Sequence, residues 1–96
     1  MRKYEVMYII RPTLELEARK ALIEELNQIM VTRGTVTMKV SEWGTRELAY
    51  EIADCKKGYY VLVECEMSVE AKNELDRVIR IKEDIIRHII VSREEM

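Results

Sequence analysis

The stretch YYVLVECEMSVEAKNELDRVI, residues 59–79, decides the fold, because its hydrophobic period changes once inside it. From Tyr59 to Met67 the residues Tyr59, Val61, Val63, Cys65 and Met67 alternate with their neighbours, the pattern of a strand with one buried face. Beyond Ser68, a residue type that caps helices, the apolar positions become Ala71, Leu75, Val78 and Ile79. That spacing predicts a helix following the strand directly. Downstream, Ile85 to Ser92 is apolar at nearly every position and reads as a closing strand. Upstream, Ala53 to Gly58 is a polar turn, and Thr35 to Ile52 reads as a long strand with Gly44 inside it. A glycine there marks a bulge or bend.

The first third of the chain repeats the strand-then-helix order. Arg2 to Ile10 alternates, with Tyr4, Val6, Tyr8 and Ile10 on one face and Lys3, Glu5, Met7 and Ile9 on the other. Arg11-Pro12-Thr13 ends it, since proline cannot continue a ladder and Thr13 can cap the next helix. That helix is expected over Leu14 to Arg33, with Ala18, Leu22, Leu26, Ile29 and Met30 as its stripe and Gly34 as its left-handed stop. The order strand, helix, strand, strand, helix, strand predicts an α+β, ferredoxin-like domain spanning residues 1–96. Its four-stranded antiparallel sheet takes the order fourth, first, third, second, with both helices on one face. The other face then carries Met7, Ile9, Tyr60, Leu62, Ile89 and Val91, an apolar surface suited to a protein partner.

Composition narrows the function. The 96 residues are 48% apolar and 35% charged, the balance of a soluble globular fold. No apolar run reaches the ~18 residues of a membrane span, and no signal peptide precedes the first strand, so a cytoplasmic protein is expected. Cys55 and Cys65 have no zinc or disulfide-framework spacing and are expected to be reduced. His88 is the only histidine, no glycine-rich loop opens either helix, and no second titrating group is evident beside His88. Neither catalysis, nor a metal, nor a cofactor, nor a small-molecule substrate is expected. The net charge of −2 argues against a non-specific polyanion binder, so any nucleic-acid contact must come from local clusters.

One such cluster follows from topology. Antiparallel pairing of the first and last strands brings Arg2, Lys3 and Arg93 together at one end of the sheet. The third strand, read as parallel to the first, adds Lys56 and Lys57 to that end, with Asp54, Glu94 and Glu95 as partial offsets. Arg87 lies toward the other end of the last strand. These positions, with Arg46, are the candidate phosphate contacts. Lys57-Gly58-Tyr59-Tyr60-Val61-Leu62-Val63 invites comparison with the stacking strand of RNA-recognition motifs, but Tyr60 and Val61 depart from it and the tyrosines fit cross-strand packing better.

The most specific segment is Gly44-Thr45-Arg46-Glu47-Leu48-Ala49-Tyr50-Glu51-Ile52. Its Gly-x-Arg-x-Leu-Ala-Tyr-x-Ile pattern resembles the signature of the bacterial small-subunit ribosomal protein S-six family. Arg2-Lys3-Tyr4-Glu5, Gly58-Tyr59-Tyr60 and Ile85-Ile86-Arg87-His88 are similar to that family at the matching places, so the resemblance covers nearly the whole chain. Glu47 and Glu51 make the signature more acidic than its usual form. The resemblance implies a ferredoxin-like fold and a place in the small ribosomal subunit. There it implies binding to the central domain of 16S ribosomal RNA together with ribosomal protein S-eighteen. Two other readings use the same fold. A homo-oligomer could pair its open sheet faces around a small ligand. An acyl-phosphate hydrolase would need a phosphate-cradling loop at Arg11 and a positioned amide, and Arg11 has no glycines around it.

Overall fold

A computed structural model describes residues 1–93. It has the element order β1 (Arg2–Ile10), α1 (Leu16–Thr32), β2 (Val36–Ile52), β3 (Cys55–Met67), α2 (Val69–Ile81) and β4 (Ile85–Ser92). The sheet order is β2-β3-β1-β4. Every pairing is antiparallel, so β3 runs against β1 and not with it: Arg2 faces Met67 and Ile10 faces Tyr59. The geometry leaves no choice. β2 and β3 form a hairpin, and a right-handed crossover through α1 makes β2 parallel to β1, which forces β3 antiparallel. Lys56 and Lys57 therefore lie at the Ile10 end, away from Arg2, Lys3 and Arg93, together with Asp54. The offsets expected from Glu94 and Glu95 fall outside the described residues.

Alternation decides which face is buried. Tyr4, Val6, Tyr8 and Ile10 of β1 and Val61, Val63, Cys65 and Met67 of β3 turn toward the helices. They meet Leu22, Ile23, Leu26 and Met30 of α1 and Ala71, Leu75, Val78 and Ile79 of α2. Burying one such large aliphatic side chain contributes roughly 1.5–3 kcal/mol, so this single layer carries most of the stability. Ile23 belongs to the α1 stripe, Ala18 in its first turn is exposed, and the helix begins later than the sequence suggests. Arg11 and Leu14 close a turn that holds Thr13 outside the helix, and Glu15 stands at the N-cap without a side-chain cap. α2 starts where expected: Ser68 Oγ accepts from the Ala71 N–H at 3.0 Å, a bond worth about 1 kcal/mol.

Two features bend the β2–β3 hairpin. Ile52 pairs with Cys55 across a two-residue turn in which Ala53 and Asp54 both have positive φ, 50° and 63°. That is the turn whose twist matches paired strands, so β3 begins at Cys55 and not at Tyr59. Midway, the register slips between Glu42 and Gly44, and Gly44 has φ +84°. An extra residue there breaks the ladder and twists the strand.

Candidate nucleic-acid and partner interface

The face of the sheet away from the helices is where the expected site residues meet. From β1 it carries Lys3, Glu5, Met7 and Ile9, from β3 Tyr60, Leu62, Glu64 and Glu66, and from β4 Arg87, Ile89 and Val91. The registers Met7–Leu62, Met7–Ile89, Ile9–Tyr60 and Glu5–Val91 make them neighbours. Ile89 and Val91 are 49% and 42% exposed, and Met7, Tyr60 and Leu62 are half-buried by their neighbours. Ile9 is the exception at 7% exposure. Gly58 has no side chain, and the Ile9 methyl Cγ2 occupies the space its Cβ would take, with Ile86 Cδ1 beside it. Ile9 is thus an internal contact on the open face and offers little to a partner.

Arginines stand at both ends of this strip. At the Ile10 end, Arg87 faces Ile9 in register, and its guanidinium donates to the Tyr50 hydroxyl at 2.8 Å. That bond draws the far end of β2 toward β4 over the open face. At the opposite end, the Arg93 N–H donates to the Lys3 carbonyl at 2.7 Å, so Lys3 and Arg93 come together on this face, whereas Arg2 stands opposite Met67 and alternates toward the helix side. Their charge is more compensated than the sequence suggested. Arg93 Nη1 lies 2.8 Å from Glu5 Oε2, Lys3 faces Glu66, and Lys39 faces Glu64. A cavity of about 480 Å3 lies among Lys3, Glu5, Lys39, Glu64, Glu66 and Arg93. Its alternating signs suit ordered hydrogen bonding more than a plain anion sink. Arg46, on the β2 edge, stands 5.5 Å from the centre of the Trp43 ring.

The remaining titrating groups are built into the scaffold. His88 is not isolated: its Nε2 lies 2.7 Å from Asp76 Oδ1, and Arg80 Nε donates to Asp76 Oδ2 at 2.9 Å. Helix α2 presents Asp76 to β4 across the layer, a pairing invisible in the linear sequence. The His88 hydrogen bond, helped by Arg80, holds the Asp76 carboxyl below its usual range. Burial pushes the Cys65 thiol up to about 11, which keeps it protonated and unreactive. Tyr59 donates to Glu42 Oε1 at 2.6 Å, and that bond raises its phenol pKa. Arg19 lies 3.9 Å over the same ring. Among the described residues no group of three or more His, Cys, Asp and Glu is placed to hold a metal ion. No described helix is long and apolar enough to cross a membrane.

A one-layer ferredoxin-like sheet with an uncovered apolar face and arginines at its ends defines a scaffold that works through surfaces. The comparisons specify which. A sequence model of the ribosomal protein S6 family matches residues 3–92, and the chain belongs to that family, a component of the small ribosomal subunit. The crystal structure of 30S ribosomal protein S6 from Thermotoga maritima superposes with a TM-score of 0.91 at 32% identity, covering 96% of this chain and 87% of that one. An Arabidopsis thaliana protein shares the fold alone, with a TM-score of 0.60 at 12% identity over 100% of this chain and 96% of that one.

Proposed function

We propose that the chain binds the central domain of 16S ribosomal RNA together with ribosomal protein S-eighteen. In this reading Arg2, Lys3, Arg46, Arg87 and Arg93 meet phosphates, and Met7, Tyr60, Leu62, Ile89 and Val91 meet the partner. The observation that carries it is the open strip itself. Ile89 and Val91 are exposed beside Met7 and Leu62, while arginines flank the strip at both ends. Apolar area of that kind drives protein association, and flanking guanidinium groups position a phosphate backbone. The net charge of −2 and the carboxylates around Arg93 and Lys39 fit a protein whose RNA affinity depends on its neighbour.

The test is binding of a central-domain 16S fragment with and without the partner protein. Weak binding alone and a large gain with the partner are expected. Tight binding without the partner at physiological salt would sink the proposal. A stable homodimer at micromolar concentration would instead favour pairing of two open faces.

A further inference from the structure

The geometry points to a stacking subsite for an unpaired RNA base on the indole of Trp43, with the Arg46 guanidinium as its cationic wall. The inference deepens the RNA-binding reading above and rests on it. Trp43 is the residue inserted where the register slips between Glu42 and Gly44, on a strand at the edge of the sheet. A bulge re-aims a side chain, and this one leaves a large aromatic ring 43% exposed. Arg46, three residues on, places its guanidinium 5.5 Å from the ring centre, looser than the 3.9 Å that Arg19 keeps over Tyr59. Tyr59 is already engaged on its hydroxyl and over its face, whereas the Trp43 ring carries Arg46 over it at a looser distance and stays 43% exposed.

The surroundings select the ligand class. Near Trp43 the strand reads Ser41, Glu42, Gly44, Thr45, Arg46 and Glu47 between Val40 and Leu48, so the indole has no apolar company within two positions along β2. A protein-docking patch would need that company, and the chain keeps its apolar strip elsewhere, on β1, β3 and β4. A lone aromatic ring bordered by a guanidinium suits a planar π system on a phosphate chain. Bases stack on aromatic faces and arginine planes, and the cation reaches the backbone. The nearby acids do not block this: Glu42 accepts from Tyr59, and Glu47 stands opposite Lys57.

Trp43 is the only tryptophan, so its emission reports this site alone. Titration of the full chain with single-stranded oligoadenylate should quench it saturably, with weaker binding at higher salt. With a labelled oligoadenylate, Trp43→Leu should weaken binding roughly 5- to 150-fold, the usual worth of one stacked base, and Trp43→Phe should recover most of it. Arg46→Ala should lower the slope of log affinity against log salt by about 0.7. Unchanged emission, or wild-type affinity in Trp43→Leu, overturns the inference. So does an emission change that needs the partner protein and no RNA, which would make this edge a protein contact. Quenching by the oligonucleotide without assembly on the 16S fragment would sink the ribosomal reading instead, and assembly without quenching sinks only the stacking site.

Discussion

His88 Nε2 and Asp76 Oδ1 meet at 2.7 Å, and this contact ties the closing strand to the second helix across the layer. Because the bond holds the Asp76 carboxyl below its ordinary value of 3.8, it stabilises the charged form of the folded state. That contribution is fully present above pH 3.8 and is lost as pH falls through the folded-state pKa. Asp76→Asn should cost about 1 kcal/mol near pH 7, the deficit of a half-exposed charged hydrogen bond. The gap between variant and wild type should close below pH 3.8. Denaturant unfolding at stepped pH checks this, and a gap that widens on acidification would contradict it.

Gly58 and Ile9 form a second coupled pair. The Ile9 methyl fills the Cβ position of Gly58, and a β-branched side chain has little rotamer freedom with which to retreat. Gly58→Ala should therefore destabilise by about 1–3 kcal/mol through overpacking. In an Ile9→Ala background the same change should cost much less. A double-mutant cycle by thermal unfolding measures the coupling, and additive costs would show that the crowding is relieved elsewhere.

Gly44 tests backbone strain without crowding. Nothing lies within 4 Å of a Cβ built there, but φ is +84°. Gly44→Val should cost about 1–3 kcal/mol from conformation alone, and Gly44→Asn distinctly less, since asparagine tolerates the left-handed region. Equal loss from both substitutions would point to a lost contact instead.

Much of this was readable in the linear chain because it is local. The glycine bulge, the Ser68 cap and the Ala71, Leu75, Val78 and Ile79 stripe each depend on residues a few positions apart. What failed depends on how strands return. The direction of β3 moved Lys56 and Lys57 to the far end of the sheet. The burial of Ile9 depends on a glycine 49 positions later, and the partner of His88 lies on the helix above it. Of the expected cluster Lys3 and Arg93 meet on the open face, where Glu5, Glu64 and Glu66 join them by alternation, while the same alternation turns Arg2 to the other face.

The RNA surface can be counted by salt. Each phosphate contact removed should lower the slope of log affinity against log salt by about 0.7 to 0.9. Arg2→Ala with Arg93→Ala should flatten the slope of complex formation by about one to two units on that rule, with the fold intact. Leu62→Ala should weaken the partner with the slope unchanged. If the arginine pair leaves the slope alone and Leu62→Ala alters it, the two surfaces are exchanged.

The bond from the Arg93 N–H to the Lys3 carbonyl also has a consequence in time. Ribosomes release a chain from its N-terminus, and β1 emerges first. Both of its ladder neighbours come late: Tyr4 waits for Cys65 on one side and Ser92 on the other. The β2–β3 hairpin, closed by two residues, needs no such delay. Synthesis therefore releases a hairpin before it releases a sheet, and the central strand holds two bare edges until β3 follows and one until nearly the whole chain is out. Only the side that β3 covers is closed once Met67 is out; the side awaiting β4 stays bare, and such an edge pairs readily with other chains. A translation arrest before Ile85 should leave a nascent chain that is sensitive to protease and prone to associate, although five of its six elements are already made.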